Sequence, residues 1–214
     1  MKNFKLQKLR RTYKLNGLSK DNVDKNPYVQ FNKWFKEVLD AKIVDPSAMV
    51  LSSVDHAKIP SSRIVLLKEV DNKGFIFFTN YLSRKASDFS ENPAASLLFY
   101  WKELERQVRI EGRVAKIERK KSEDYFQTRP RDSQIGTWVS KQSAVIPNRS
   151  YLDEKYDELE KKFGKDEIPL PEYWGGYRLI PNYFEFWQGR EKRLHDRICY
   201  KEEKHGWNIF RLAP

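Results

Sequence analysis

Arg193, His195 and Arg197 alternate near the C-terminus, and Trp187 lies shortly before them. On an extended strand, alternating side chains point to one face. Cationic groups held that close repel one another unless an anion sits among them. The Trp indole adds a flat apolar plane suited to an aromatic ligand. An aromatic ring carrying a phosphate satisfies both demands.

Three other segments carry similar chemistry. In Thr79-Asn-Tyr-Leu-Ser-Arg-Lys85 a strand runs into a short helix with Ser83 at its N-cap. Arg84 and Lys85 then fall in the first turn, where the helix dipole disfavours cations. Two cations there make sense beside a bound anion, with free N–H groups and a hydroxyl completing a phosphate cradle. In Ser62-Arg-Ile-Val-Leu-Leu-Lys68 an apolar run suited to a strand buried on both faces is bracketed by Arg63 and Lys68. These two have opposite parity, so they flank one ligand along the strand, or a bulge re-aims one of them; taken alone, they read as solvated strand ends. The third segment places Tyr125 and Arg129 on one helix face, with Arg131 and Ser133 in the loop beyond Pro130. All are donors able to hold a second phosphate, and Ser140-Lys-Gln-Ser143 supplies further donors.

Much familiar chemistry is missing. The chain has no GxGxxG or Walker A loop, no GxSxG elbow, no HExxH and only one cysteine, Cys199. Metal catalysis and protein-based covalent catalysis are not expected, and a cofactor is expected to carry the difficult step. The net charge of +11, from 41 Lys and Arg against 30 Asp and Glu, favours anionic partners. Phosphorylated small molecules, nucleic acid and acidic membranes all qualify on charge alone. The basic residues fall in discrete clusters rather than a sustained stripe, which argues against nucleic acid. No apolar run approaches the roughly 20 residues of a membrane span, and no secretory signal is seen, so a reduced cytoplasmic setting is expected.

The elements that must position these residues are mostly strands. Residues 1–25 read as a flexible basic arm and 26–214 as one domain. A helix starts at Asn26-Pro27, with Phe31, Trp34, Phe35, Val38 and Leu39 forming one apolar stripe. Strands are expected at 49–54, 62–70, 74–79, 96–101 and 106–117, with Asp71-Asn-Lys-Gly74 as a hairpin turn. Helices follow at about 120–129 and at 150–163, the latter opening on a capping-box variant at Ser150 and Asp153. Strands resume at 177–180, 183–187, 196–200 and 207–212. Consecutive short strands with peripheral helices imply a mainly β, antiparallel meander or small barrel.

Ordered blocks from about residue 27 onward resemble the pyridoxamine 5′-phosphate oxidase family. They include Arg63-Ile-Val-Leu-Leu-Lys68, Ser83-Arg-Lys85, Leu104-Glu-Arg-Gln107, Arg129-Pro-Arg-Asp-Ser-Gln-Ile-Gly136, Trp138-Val-Ser-Lys-Gln-Ser143, Phe186-Trp-Gln-Gly189, Arg193-Leu-His-Asp-Arg197 and Arg211-Leu-Ala-Pro214. The resemblance implies an FMN-binding split β-barrel homodimer. It oxidises pyridoxamine and pyridoxine 5′-phosphates to pyridoxal 5′-phosphate, with O2 as acceptor and H2O2 as product. On the family pattern FMN is held by Arg63, Lys68, Phe78, Thr79, Arg84, Lys85 and Gln107 of one subunit, and by Gln142, Ser143, Trp187 and Arg197 of the other. The substrate phosphate falls to Lys68, Tyr125, Arg129 and Ser133. Arg193 and His195 close over the pyridine ring, with Arg10 and Tyr13 in a lid. Arg190 and Lys192 have no assigned role. Rival readings are a flavin reductase or non-catalytic flavin-binding protein on the same barrel, and a nucleic-acid-binding protein.

Overall fold

The computed structural model describes residues 12, 13, 15 and 17–214. Strands β1 (Ala48–Val54), β2 (Pro60–Leu66), β3 (Glu69–Asp71), β4 (Gly74–Asn80), β5 (Ala94–Trp101), β6 (Arg106–Lys116) and β7 (Trp174–Gln188) form a sheet in the order β2-β1-β5-β6-β7-β4-β3. Strand β8 (Asp196–Glu203) pairs with β7, and β9 (Gly206–Leu212) pairs with β8. The β3–β4, β4–β7, β7–β8 and β8–β9 pairings are antiparallel. Helices α1 (Pro27–Asp40), α2 (Arg84–Glu91), α3 (Arg119–Gln127), α4 (Arg131–Val139) and α5 (Ser150–Phe163) complete the chain. The chain falls into two compact units. The first runs to Ala48 and adds Leu97–Ile110 and Asn182–Pro214; the second holds Met49–Ser96 and Glu111–Pro181.

In the first unit, Asn26 caps α1 by accepting the Tyr28 N–H at 2.9 Å, and Pro27 occupies the first helical position. Phe31, Trp34 and Val38 are buried, whereas Leu39, read as part of the stripe, is 51% exposed. Trp34 meets Phe186 edge-on at 5.2 Å, and Phe31 packs at 5.2 Å from Phe99, so this core is largely aromatic. The C-terminal part of the segment read as an arm makes specific contacts here. Leu18 is buried, its N–H bonds Asp196 at 2.9 Å, and the Tyr200 hydroxyl donates to the Asp24 carbonyl at 2.7 Å.

In the second unit the Asp71–Gly74 turn forms as expected. Asp71 accepts the N–H groups of Lys73 and Gly74, at 2.8 and 3.0 Å. Gly74 has φ +150°, and a Cβ there would stand 2.0 Å from the Leu179 carbonyl oxygen, so only glycine fits.

Five local expectations are corrected. The strand read as 62–70 breaks at Leu67-Lys68 into β2 and β3. Ile64 and Leu66 are 63% and 43% exposed rather than buried on both faces, because β2 is the edge of the sheet. Arg131 and Ser133 lie on α4, not in a loop: α3 ends at Gln127, Arg129 falls in the link rather than on the helix face with Tyr125, and Pro130 is the N-cap of the new helix. Ser150 is inside α5, and Asn148 accepts the Tyr151 N–H in place of the expected capping box. The strands read as 177–180 and 183–187 are one strand, β7. Its residues 174–179 pair with β4 and 183–188 with β8, so the missing N–H of Pro181 falls between the two paired stretches.

Replacing Gly74 with Ala is expected to lower unfolding stability by about 1–3 kcal/mol, the penalty for a side chain in that backbone region. Urea denaturation reads it, and a variant as stable as the parent contradicts the assignment.

Candidate active site

Strand β4 ends at Thr79-Asn80, and Asn80 turns the chain by accepting the Leu82 N–H at 2.7 Å. Ser83 stands at the N-cap of α2, but its hydroxyl makes no capping bond and donates to the Asn80 carbonyl at 2.7 Å. The turn drives Lys85 inward. Its ammonium is buried and donates to Thr79 Oγ1 at 2.9 Å, Ser83 Oγ at 2.8 Å and Gln142 Oε1 at 2.7 Å. All three acceptors are neutral. Burial, with the nearby Arg63 charge, pulls Lys85 down to about 8, and Asp88 opposes the fall.

Arg63 projects from β2 and donates to Ser53 Oγ at 2.8 Å, Ser61 Oγ at 2.5 Å and the Leu51 carbonyl at 3.2 Å. Burial lowers its pKa, Asp88 resists this, and Arg84 adds to it. The Arg84 N–H bonds Ser143 Oγ at 3.3 Å, with Ser143 held at φ +73°. Arg63, Lys68, Arg84, Lys85, Thr79, Gln142 and Ser143 line one cavity of about 1040 Å³. Gln142 and Ser143, which the resemblance assigns to a second subunit, reach this cavity within the same chain.

The same cavity is lined by Phe78, Tyr125, Arg129, Ser133, Thr137 and Trp174. The Phe78 ring stacks on Tyr125 at 3.9 Å and on Trp174 at 5.4 Å, which makes a flat aromatic wall. The Arg129 guanidinium lies 4.7 Å from the Trp174 ring and donates to Thr137 Oγ1 at 2.6 Å. Burial lowers its pKa as well. Arg131 is diverted: it donates to the carbonyls of Asp166 and Gly164, at 2.9 and 2.7 Å, and does not line the cavity. Lys68 follows the end of β2, so the strand break settles the parity question by letting both it and Arg63 line the cavity. The volume lies at the top of the usual range for one small-molecule site, about 300–1000 Å³.

A second group sits in the first unit. Residues 193–195 are not extended, as alternation suggested. Lys192 and Arg193 have φ of 56° and 63°, and β8 begins at Asp196. Two successive non-glycine residues in the left-handed region are a strained arrangement of the sort that collects at functional loops. Arg193 is exposed. His195 packs tilted against Trp187 at 4.7 Å and edge-on to Tyr13 at 5.2 Å, and its Nδ1 accepts the Arg190 N–H at 3.1 Å. The neutral ring therefore carries its proton on Nε2. A Cβ at Gly189 would stand 2.5 Å from the Tyr13 ring, so the glycine admits that ring. Arg10 lies outside the described residues. Gln107, on β6, does not line the cavity.

Arg197 already has its anion. Glu185, buried on β7, accepts Arg197 Nε and Nη2 at 2.8 and 3.0 Å and Arg109 Nη2 at 2.7 Å. Burial alone raises this carboxyl, but the two guanidinium groups outweigh it and hold it below the ordinary range; the pairing raises Arg197. Asp196 likewise binds Arg211 at 2.5 Å and Arg190 at 3.5 Å. Glu185, Asp196 and Asp88 went unread in the sequence. The available signal was a carboxylate isolated between Phe184 and Phe186 on a strand, which needs a buried partner. Cys199 is buried, and the Tyr183 hydroxyl donates to its sulfur at 3.0 Å, consistent with packing.

Fold and site define an antiparallel split-barrel protein whose cavity carries two groups of cationic side chains beside an aromatic wall. Residues 35–163 match the family described as pyridoxamine 5′-phosphate oxidase, and 174–214 match the pyridoxine 5′-phosphate oxidase C-terminal dimerisation region. A pyridoxine/pyridoxamine 5′-phosphate oxidase of Rippkaea orientalis is 51% identical over 96% of this chain and 98% of its own. One from Cupriavidus taiwanensis is 52% identical over 98% and 99%. Among solved structures, PhzG from Burkholderia lata, in complex with tetrahydrophenazine-1-carboxylic acid, superposes with a TM-score of 0.89 at 27% identity, covering 95% of this chain and all of its own. An FMN-binding protein of Nostoc punctiforme, 14% identical over 86% of this chain and 97% of its own, shares the fold with a TM-score of 0.69. The chain belongs to the pyridoxamine 5′-phosphate oxidase family of oxidoreductases. Among the described residues, no helix is long and apolar enough to cross a membrane.

Burial and the Arg193 charge lower the His195 pKa, with Asp196 opposing. Below about pH 6.5 the unfolded chain therefore binds the extra proton more readily than the folded one, and stability falls as pH drops through that range. His195→Gln is expected to lose this increment when urea unfolding is compared at pH 5.5 and 7. An unchanged pH dependence contradicts the assignment.

Proposed function

We propose that the protein is an FMN-dependent oxidase converting pyridoxamine 5′-phosphate and pyridoxine 5′-phosphate to pyridoxal 5′-phosphate. The observation that carries this reading is one cavity holding two cationic groups, Arg63 with Lys85 and Lys68 with Arg129, beside the Phe78–Tyr125–Trp174 stack. Two phosphorylated heterocycles need two anion grips and a flat wall. The buried ammonium of Lys85, bonded only to neutral oxygens in its hydrogen-bond shell, fits a phosphate monoester well. FMN held there would supply the redox chemistry, a ring able to take a hydride equivalent from the substrate's exocyclic carbon with O2 as final acceptor. The balance for the amine is pyridoxamine phosphate plus O2 and water giving the aldehyde, ammonia and hydrogen peroxide.

The protein's part is positioning and charge compensation. Arg63, Lys68, Thr79, Arg84, Lys85, Gln142 and Ser143 hold the cofactor; Lys68, Tyr125, Arg129 and Ser133 hold the substrate phosphate. His195, proton on Nε2, donates a hydrogen bond to the substrate ring instead of removing a proton. Arg193 orients that ring, and Tyr13 with Arg10 covers it. Gln107, Trp187 and Arg197 complete the cofactor site across a homodimer. The match of 174–214 to a dimerisation region and the exposed apolar Ile64 and Leu66 on edge strand β2 support the dimer.

The purified protein is expected to be yellow and to release peroxide when pyridoxamine 5′-phosphate is added. Arg193→Leu is expected to retain the flavin spectrum and lose kcat/KM by about tenfold or more, the loss of at least one charge-assisted contact in the transition state. A colourless protein that reconstitutes no FMN contradicts the cofactor. A yellow protein inert toward both vitamin phosphates favours a flavin reductase, a non-catalytic flavoprotein or an oxidase of another ring system.

A further inference from the structure

Behind the cavity wall lies a carboxylate for which the family pattern offers no role. Asp88, on α2, is 4% exposed. Its Oδ2 accepts Ser53 Oγ at 2.5 Å and Ser61 Oγ at 3.2 Å. Those same hydroxyls accept from Arg63, Ser53 from Nη1 at 2.8 Å and Ser61 from Nη2 at 2.5 Å. Each serine thus passes one hydrogen bond from the guanidinium on to the carboxylate, while Arg63 and Asp88 stand 4.0 Å apart. A charge this deep is retained only where it is paired.

We propose that Asp88 is a positioning residue for the cofactor phosphate: it aims Arg63 through Ser53 and Ser61 and supplies the counter-charge of the Arg63–Lys85 pair. The inference rests on the cofactor reading above. Chain geometry places Asp88 on the same short helix as Lys85, with β1 and β2 carrying its two serines. The groups bearing on Lys85 are Arg63 from β2, Thr79 from β4, Ser83 and Asp88 from the α2 segment, and Gln142 from beyond α4. Arg84, which bears on Arg63, is itself 3.8 Å from Asp55. Among the described residues, Asp88 is the carboxylate that acts on Lys85. Without it, two neighbouring cations face each other across a partly dry wall, and the lysine gives up its proton at a lower pH.

That charge role has a signature that a packing role lacks. In Asp88→Asn the amide keeps an oxygen that accepts from Ser53 and Ser61, so Arg63 stays aimed; losing a carboxylate that slightly repels a phosphate then does not harm binding while Lys85 stays protonated. Harm grows as pH rises through the range where the variant's lysine is neutral and the parent's is still charged. The test is FMN binding to the apoprotein, followed by quenching of flavin fluorescence between pH 6 and 9, in the parent, Asp88→Asn and Asp88→Glu. The ratio of dissociation constants, Asn variant over parent, is expected to be near one at pH 6. It rises to about tenfold by pH 8.5, the effect of about one pKa unit. Asp88→Glu keeps the charge and is expected to follow the parent profile. A ratio that is flat with pH, at one or above it, overturns the proposal. If Asp88→Asn fails to fold, the Glu variant decides: a parent-like pH profile supports the role of charge, and a pH-independent weakening overturns it. A parent that binds no FMN at any pH sinks the cofactor reading instead, so the two failures are told apart.

Discussion

The buried ammonium of Lys85 is the constraint on which the site depends. Held by Thr79, Ser83 and Gln142, it has hydrogen bonds but no carboxylate among those acceptors. A dehydrated cation with neutral partners is a compromise, and burial pulls Lys85 down to about 8. Arg63 deepens the conflict and Asp88 relieves part of it. The local chain path follows from this arrangement. Strand β4 must end at Asn80, the Asn80–Ser83 turn must close, and α2 must start with Lys85 inward, against the preference of the helix dipole.

The arginines show how a basic chain divides its charge. Some are consumed by the fold: Arg119 donates to the carbonyls of Trp174, Leu170 and Pro171, and Arg131 holds the turn after α5. Others are neutralised by carboxylates, as Arg197 is by Glu185 and Arg211 by Asp196. Arg63 and Arg129 differ, since their closest hydrogen-bond partners are hydroxyls of Ser53, Ser61 and Thr137, and burial lowers both. Net charge of +11 gave no hint of this division. Lining the cavity with hydroxyls as close partners, seen only in three dimensions, separates Arg63 and Arg129 from arginines spent on backbone carbonyls or carboxylates.

Much was legible in the chain. The Asn26-Pro27 start of α1, the Asp71–Gly74 turn and the strand expected at 106–117 depend on local rules, and each formed. The convergence of Thr79, Ser83 and Lys85 follows from a short strand-to-helix turn that is plain in the chain. What failed depended on distant context. Alternation at Arg193, His195 and Arg197 implied a strand, but the left-handed backbone at Lys192 and Arg193 ends any regular period before β8 begins. Pro130 was read as a full stop, whereas a proline equally suits the entrance of a helix. The partners of Asp88 and Glu185 were invisible because a lone carboxylate in a sequence does not name the arginine it faces.

The central claim is that Lys85 and Arg63 grip a phosphate. Titrating the apoprotein with FMN and with riboflavin, which lacks the phosphate, tests it most directly. Two or three charge-assisted hydrogen bonds of about 1.5–3 kcal/mol each should favour FMN by about 100-fold or more. Equal affinity for the two flavins would contradict the account.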